Sequence, residues 1–224
     1  MRALLAVLLF APAVQAQLSV GGEFSVGPSL TSIGASGTIE ATALGVPLPV
    51  GRVDFPTAVG LDARARLDVG GPTWGGRLGV GYLSASDVFD GASIFDQRSV
   101  DVEFAVASAE VRYRAPLAAV VRGATGGDVV LALGPEVRVI LDEGTTTEGL
   151  LGLLGDVRQS HLAVGGSLGA RFEVGGLVLG PELRGGLALT PLSDDRVNLL
   201  DGAVRLSGDF RFNHASLSLT VGME

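Results

Sequence analysis

The sequence predicts an all-β fold, a closed antiparallel up-and-down β-barrel of eight strands. Three observations predict it. Apolar residues recur with period two over stretches of ten or more residues, the pattern of long strands with two unlike faces. The connections between those stretches alternate between very short and long. The composition of the 224 residues, 47% hydrophobic and 18% charged with 34 Gly, suits close-packed strands, and little of the chain reads as helix. This length fits one all-β domain.

Taken in order, the first element is an export signal. "MRALLAVLLFAPAVQA", residues 1–16, sets a basic Arg2 before an apolar run and ends on small residues at Val14 and Ala16. The run is shorter than the roughly 20 residues that span a bilayer as a helix. Residues 1–16 therefore read as a signal peptide and 17–224 as the barrel domain. Strands follow near 17–30, 57–70, 74–84, 99–114, 128–141, 160–173, 177–190 and 203–223. In the second, Val59, Leu61, Ala63, Ala65 and Leu67 alternate with Asp62, Arg64, Arg66 and Asp68. In the sixth, Leu162, Val164, Leu168 and Phe172 alternate with His161, Ala163, Ser167 and Arg171.

Two strands are irregular. Val102, Phe104 and Val106 hold one phase and Ala109, Val111 and Tyr113 the other, which predicts a bulge near Ala107. Phe210 and Phe212 lead to Leu217 and Leu219 through a second slip at Asn213–His214, where the strand could also divide in two. Only "GGPT" and "VGG" join strands two to three and six to seven. The long connections are 31–58, 85–98, 142–159 and 191–202, and 148–157 within them is unusually apolar. Short turns at one end and long loops at the other are the asymmetry of outer-membrane barrels. The connection 115–127 is too long for that rule.

Charge placement sharpens the reading. "LALGPEVRVIL" (131–141) and "LVLGPELRGGL" (177–187) repeat a Gly-Pro-Glu-x-Arg core inside apolar strands. Strand phase puts Glu136, Arg138, Glu182 and Arg184 on the inner face, with Pro135 and Pro181 outside and a local bulge or bend at each proline. The same phase sends in Glu23, Asp62, Asp68, Asp101, Glu103, Glu110, Glu173 and Asp209. It also sends in Arg64, Arg66, Arg77, Arg112, Arg114, Arg171, Arg205 and Arg211. Acids and arginines balance, as a closed interior of low dielectric requires. The expected lumen network is Asp62, Arg64, Arg66, Glu136, Arg138, Arg171, Glu182 and Arg184, and the expected aromatic belt is Trp74, Tyr82, Tyr113 and Phe172.

Other classes fall away on composition. With no Cys, disulfide frameworks and thiolate metal sites are excluded. A net charge of −8 with no basic run argues against nucleic acid. No dinucleotide, phosphate-loop or zinc motif is present, so no cofactor or metal is expected.

On the export signal, the eight alternating strands and the turn asymmetry, residues 17–224 resemble the small outer-membrane β-barrel proteins of the OmpA/OmpX type. The resemblance implies eight transmembrane strands in a Gram-negative outer membrane and a monomer bathed in outer-membrane lipids. It also implies a structural, adhesive or loop-mediated binding role, with acidic loops meeting an extracellular ligand or envelope protein. Such barrels usually finish on an aromatic residue, whereas this chain ends "LTVGME". Two other functions compete. His214 and Ser216, two apart on a strand, resemble the His-x-Ser of lipid A deacylases, which would make the barrel an acyl hydrolase. Ser160 and His161 are adjacent and point to opposite faces. A soluble secreted barrel binding a small ligand is the third reading.

Overall fold

The computed structural model describes residues 19–36, 39–43, 46–50, 57–88, 99–122, 126–142, 159–191, 197–199, 204–206 and 209–223. The expected signal peptide and the apolar loop 148–157 lie outside them. The strands, in order, are β1 (Ser19–Ser36), β2 (Ile39–Ala43), β3 (Val46–Val50), β4 (Thr57–Gly70), β5 (Trp74–Val88) and β6 (Ser99–Pro116). After a 3-10 turn at Leu117–Ala119 come β7 (Asp128–Asp142), β8 (Ser160–Val174), β9 (Leu177–Ala188), β10 (Val197–Leu199), β11 (Val204–Leu206) and β12 (Asp209–Met223).

Eight of them close a barrel in the order β1-β12-β9-β8-β7-β6-β5-β4, every neighbouring pair antiparallel. The alternation read from the sequence produces this sheet, because each long strand offers one face to the inside and one to the outside. Closure leaves no edge strand in the barrel. At one rim β4 and β5 are joined by a tight turn in which Gly71 N donates to Trp74 O at 2.9 Å. At the same rim β8 and β9 are joined by Gly175 and Gly176, both at positive φ (62° and 82°), as a two-residue type I′ hairpin demands.

The opposite rim differs from the expectation. The connections 31–58 and 191–202 are not simply loops: they contribute to a second, four-stranded sheet in the order β10-β11-β2-β3. Arg205 pairs with Glu40 and Leu206 with Ile39, continuing the register set where Ser36 pairs with Asp209. The β2–β11 pairs thus keep the register of β1–β12, and the expected last strand over 203–223 is described in two parts, β11 and β12.

The expected bulges are also corrected. The β5–β6 ladder runs unbroken through Ala107, and the register shift on β6 falls between Glu103 and Phe104, against β7. β12 passes Asn213–His214 without interruption. At the prolines, register is kept and the ladder simply opens. Gly134 and Pro135 drop out between the pairs Ser108–Glu136 and Val111–Leu133. Gly180 and Pro181 drop out between Gly169–Glu182 and Phe172–Leu179. Gly27 and Pro28 do the same between Val26–Leu219 and Ser29–Ser216. Each proline's missing N–H is thus absorbed on one side, while its other side stays paired.

Candidate functional site

The chemistry of this molecule is concentrated in its lumen. Outward positions of the barrel strands are apolar and exposed, among them Phe24, Leu78, Val80, Leu133, Leu168 and Leu219. Inward positions hold the charges, with Glu136 at 0% exposure and Arg138 at 1%. That is the reverse of a water-soluble barrel.

The described side chains form two ion-pair clusters, each of three carboxylates and three guanidinium groups. The cluster nearer the short-turn rim joins Glu23, Asp68 and Glu182 to Arg66, Arg77 and Arg171. Arg77 donates to Asp68 through Nε (2.7 Å) and to Glu23 through Nη2 (3.0 Å). Arg171 bridges Glu23 (2.9 Å) and Glu182 (2.5 Å). Arg66 Nη1 holds both oxygens of Glu182, at 2.5 and 2.7 Å, and its Nη2 donates to Ser25 Oγ.

The second cluster joins Asp62, Glu110 and Glu136 to Arg64, Arg138 and Arg184. Glu136 accepts from Arg138 Nε (2.7 Å), Arg64 Nη1 (3.2 Å) and Arg184 Nη2 (3.2 Å). Arg184 also donates to Glu110, and Arg64 Nε donates to Asp62 Oδ1 at 2.5 Å. The Glu-x-Arg repeat on β7 therefore lies wholly in the second cluster, while the one on β9 divides, Glu182 joining the first and Arg184 the second. Multidentate pairing of this kind is what lets buried charges be tolerated at low dielectric.

Small residues make the space. Arg64 is paired across the sheet with Gly81, Arg66 with Gly79, Arg112 with Gly75, Glu182 with Gly169, Glu23 with Gly222 and His214 with Gly186. A Cβ at Gly75 would lie 2.7 Å from Arg112 Nη2, and one at Gly222 would lie 2.9 Å from Glu23 Cγ. The sequence shows small residues on this face, but their one-to-one opposition to large charged ones depends on register.

Above the second cluster, towards the long-connection rim, the lumen turns apolar. Leu83, Val102, Phe104, Val106, Ile140, Ala163 and Phe212 are all buried there. Phe104 and Phe212 meet with centroids 4.7 Å apart, and His161 stands edge-on to Phe104 at 6.1 Å. Arg138 joins cluster to cap, donating to Phe212 O at 2.6 Å with its guanidinium 5.8 Å from the ring centroid. This cap is what the sequence analysis missed, and it explains both apparent phase slips. Val102, Phe104, Val106 and Phe212 face inwards, in step with Glu110 and His214 on their strands.

Two expected lumen charges are corrected as a result. Glu103 and Arg211 lie on the outward face, half-buried, with Glu103 hydrogen-bonded to the Tyr82 hydroxyl. Arg114 lies at the inner side of the short-turn rim near Asp128 (3.8 Å), and Glu173 is exposed at that rim. The side chains of Asp101, Arg205 and Asp209 fall outside the described set.

His214 and Ser216 share the inward face, as their spacing requires, but they do not form a nucleophile–base pair. Ser216 Oγ donates to Asp62 Oδ2 at 2.8 Å, while His214 Nδ1 lies 2.9 Å from Arg138 Nη2 and its Nε2 faces Asp62 at 3.7 Å. The guanidinium can only donate, so Nδ1 is the acceptor. Both side chains are buried inside the barrel, away from any lipid ester at its outside. Ser160 is exposed and His161 buried, on opposite faces.

The aromatic positions fall at two heights. Trp74 (62% exposed) and Tyr113 pack with centroids 4.8 Å apart and their rings tilted by 54° at the short-turn rim, and Phe172 is exposed at the same rim. Tyr82 lies eight residues further along β5. That is about 27 Å of strand, or about 20 Å of height at the usual barrel tilt. Among the described residues, the two charged clusters and the apolar cap fill the interior between the rims. A recess of about 10 Å³ at the short-turn rim, lined by Glu23, Asp68, Arg112, Arg114 and Val178, has room for about one water. Among the described residues, no group of three or more His, Asp or Glu is placed to hold a metal ion.

An eight-stranded antiparallel barrel, closed on itself with charges packed inside and an apolar exterior, is the class of protein this geometry defines. No protein-family model and no curated protein matches the chain. Among solved structures it is similar to the outer membrane protein OprG from Pseudomonas aeruginosa, at 10% identity over 94% of this chain and 99% of that one, with a TM-score of 0.51. Weaker likenesses are to Ail of Yersinia pestis, solved with the heparin analogue sucrose octasulfate (11% identity, 92% and 99% covered, TM-score 0.39), and to Neisserial surface protein A (13%, 92% and 98%, 0.44). At such identities the shared property is the fold, and the comparison with OprG carries it.

Proposed function

We propose that residues 17–224 form an integral outer-membrane protein, exported by the 1–16 signal peptide, whose packed barrel is a rigid anchor for the structure at its long-connection rim. The observation that carries this is the inverted polarity: exposed apolar residues face out around the barrel while two ion clusters fill it. Lipid is the solvent that suits the exterior. Barrel strands of 12 to 18 residues exceed the 9–11 that cross a bilayer, so they have length to spare on the loop side. Trp74, Tyr113 and Phe172 at one height and Tyr82 at the other bracket the apolar band as interfacial belts do.

The activity assigned to this anchor is binding or adhesion through the extension built on the β2–β11 ribbon and the acidic connections, with a ligand or envelope protein as partner. Loops held on a rigid scaffold are where such specificity resides. Among the described residues the lumen is filled by paired charges and Ser216 is buried within it, which favours an anchoring role over transport or acyl hydrolysis. Fractionation tests the reading. The native chain should sediment with outer membranes, resist extraction by salt, and migrate faster on SDS gels unheated than heated. Recovery as a soluble protein without detergent would overturn it in favour of a secreted barrel.

A further inference from the structure

The β6–β7 connection is long where its neighbours at the same rim are tight, and the barrel does not need that length to close. Its described part is ordered by backbone bonds. Leu117 N donates to Gly127 O (2.8 Å), and Val120 N and Val121 N both donate to Leu117 O (3.0 and 2.8 Å). These bonds fold five consecutive apolar residues, 117–121, into a turn that buries none of them. Val120 is 66% exposed and Val121 49%. A turn of this composition presented to water is unfavourable, since apolar side chains gain when removed from it.

We propose that Leu117–Val121 is an interfacial anchor, seated at the boundary between headgroups and acyl chains of the membrane leaflet at the short-turn rim, with phospholipid as its partner. The inference rests on the membrane reading above. Continuity with the outer face selects this occupant. β6 enters the turn just after Tyr113, which packs against Trp74, and β7 leaves it with Leu131 and Leu133 exposed on the same outward face. Arg122 closes the apolar run as an exposed cation, placed for a headgroup phosphate. An apolar stretch flanked by an aromatic pair and an arginine matches what an interface selects for.

The sequence has no Cys, so single-cysteine variants can be labelled cleanly. An environment-sensitive fluorophore would be placed at Val120→Cys, Leu133→Cys and Glu173→Cys, reporting the turn, the band and the lumen side of the rim. The proteins would be reconstituted in phosphatidylethanolamine–phosphatidylglycerol vesicles whose acyl chains are brominated near the headgroup. The label at 120 should be quenched by the brominated lipid and be several-fold less accessible to aqueous iodide than the label at 173. Trp74, the only tryptophan, should show the same shallow quenching without any label. Iodide access at 120 equal to that at 173, with 133 still shielded, would overturn the anchor alone. Free iodide access at 133 would overturn the membrane reading itself.

Discussion

Glu182 meets three arginines, with Arg66 and Arg171 in direct hydrogen bonds and Arg77 at 3.8 Å. Glu182→Gln keeps the shape and removes the charge, leaving buried guanidinium groups uncompensated. The expected loss is about 3–5 kcal/mol, read by urea unfolding in lipid vesicles. Asp128→Asn, which breaks the half-exposed pair with Arg114, should cost no more than about 1 kcal/mol in the same assay. Ser216→Ala removes one hydrogen bond to Asp62, about 1–2 kcal/mol, and should leave the acylation of lipid A on expression unchanged. A profile altered by the parent and restored by the variant would reinstate the hydrolase reading. Side-chain direction was legible wherever a strand kept charged residues in one phase, as at Glu136–Arg138 and Glu182–Arg184. It was misread at Glu103 and Arg211, because the rule that apolar means outward fails where the lumen itself is apolar.

Most strand limits were legible to within four residues because alternation is a local signal, the end of β1 at Ser36 and the start of β12 at Asp209 being the exceptions. Register was not, and it decides what the Gly-Pro pairs do. In β7 and β9 the glycine lets the neighbouring backbone approach so closely that an added Cβ would clash with a carbonyl oxygen, Ala109 O at Gly134 and Ala170 O at Gly180. Gly134→Ala and Gly180→Ala should therefore lower the yield of the fast-migrating folded form on unheated gels. Pro135→Ala and Pro181→Ala, which face outwards, should fold to the parent level. Equal yields in all four variants would show that the close approach is not required. The short strands β2, β3 and β10 were invisible for a different reason, and β11 was read as the start of the last strand: three to five residues are too few for a period to show. Within that small sheet, Pro47 and Pro49 sit on β3, which lies at the sheet's edge. Prolines there discourage further strand pairing on that side.

At the scale of the whole molecule, a barrel filled by paired charges and capped by Phe104 and Phe212 should conduct no steady current in planar bilayers. Stable single-channel steps would contradict the packed lumen. The composition foretold a filled interior but not its layering, since which charges meet depends on contacts between strands far apart in sequence, such as Arg66 with Glu182. The same distance governs assembly. The seam that completes the cylinder is made by β1 and β12, the first and last strands of the domain, and the β2–β11 pairs keep the register of that seam. Joining the two ends of the chain is the slowest kind of contact to form. The four-stranded sheet that continues this register should therefore form only once β1 and β12 have met. Pairing of β2 with β11 is thereby tied to the last step of closure, and a probe that reads it would count closed barrels and leave open ones unmarked.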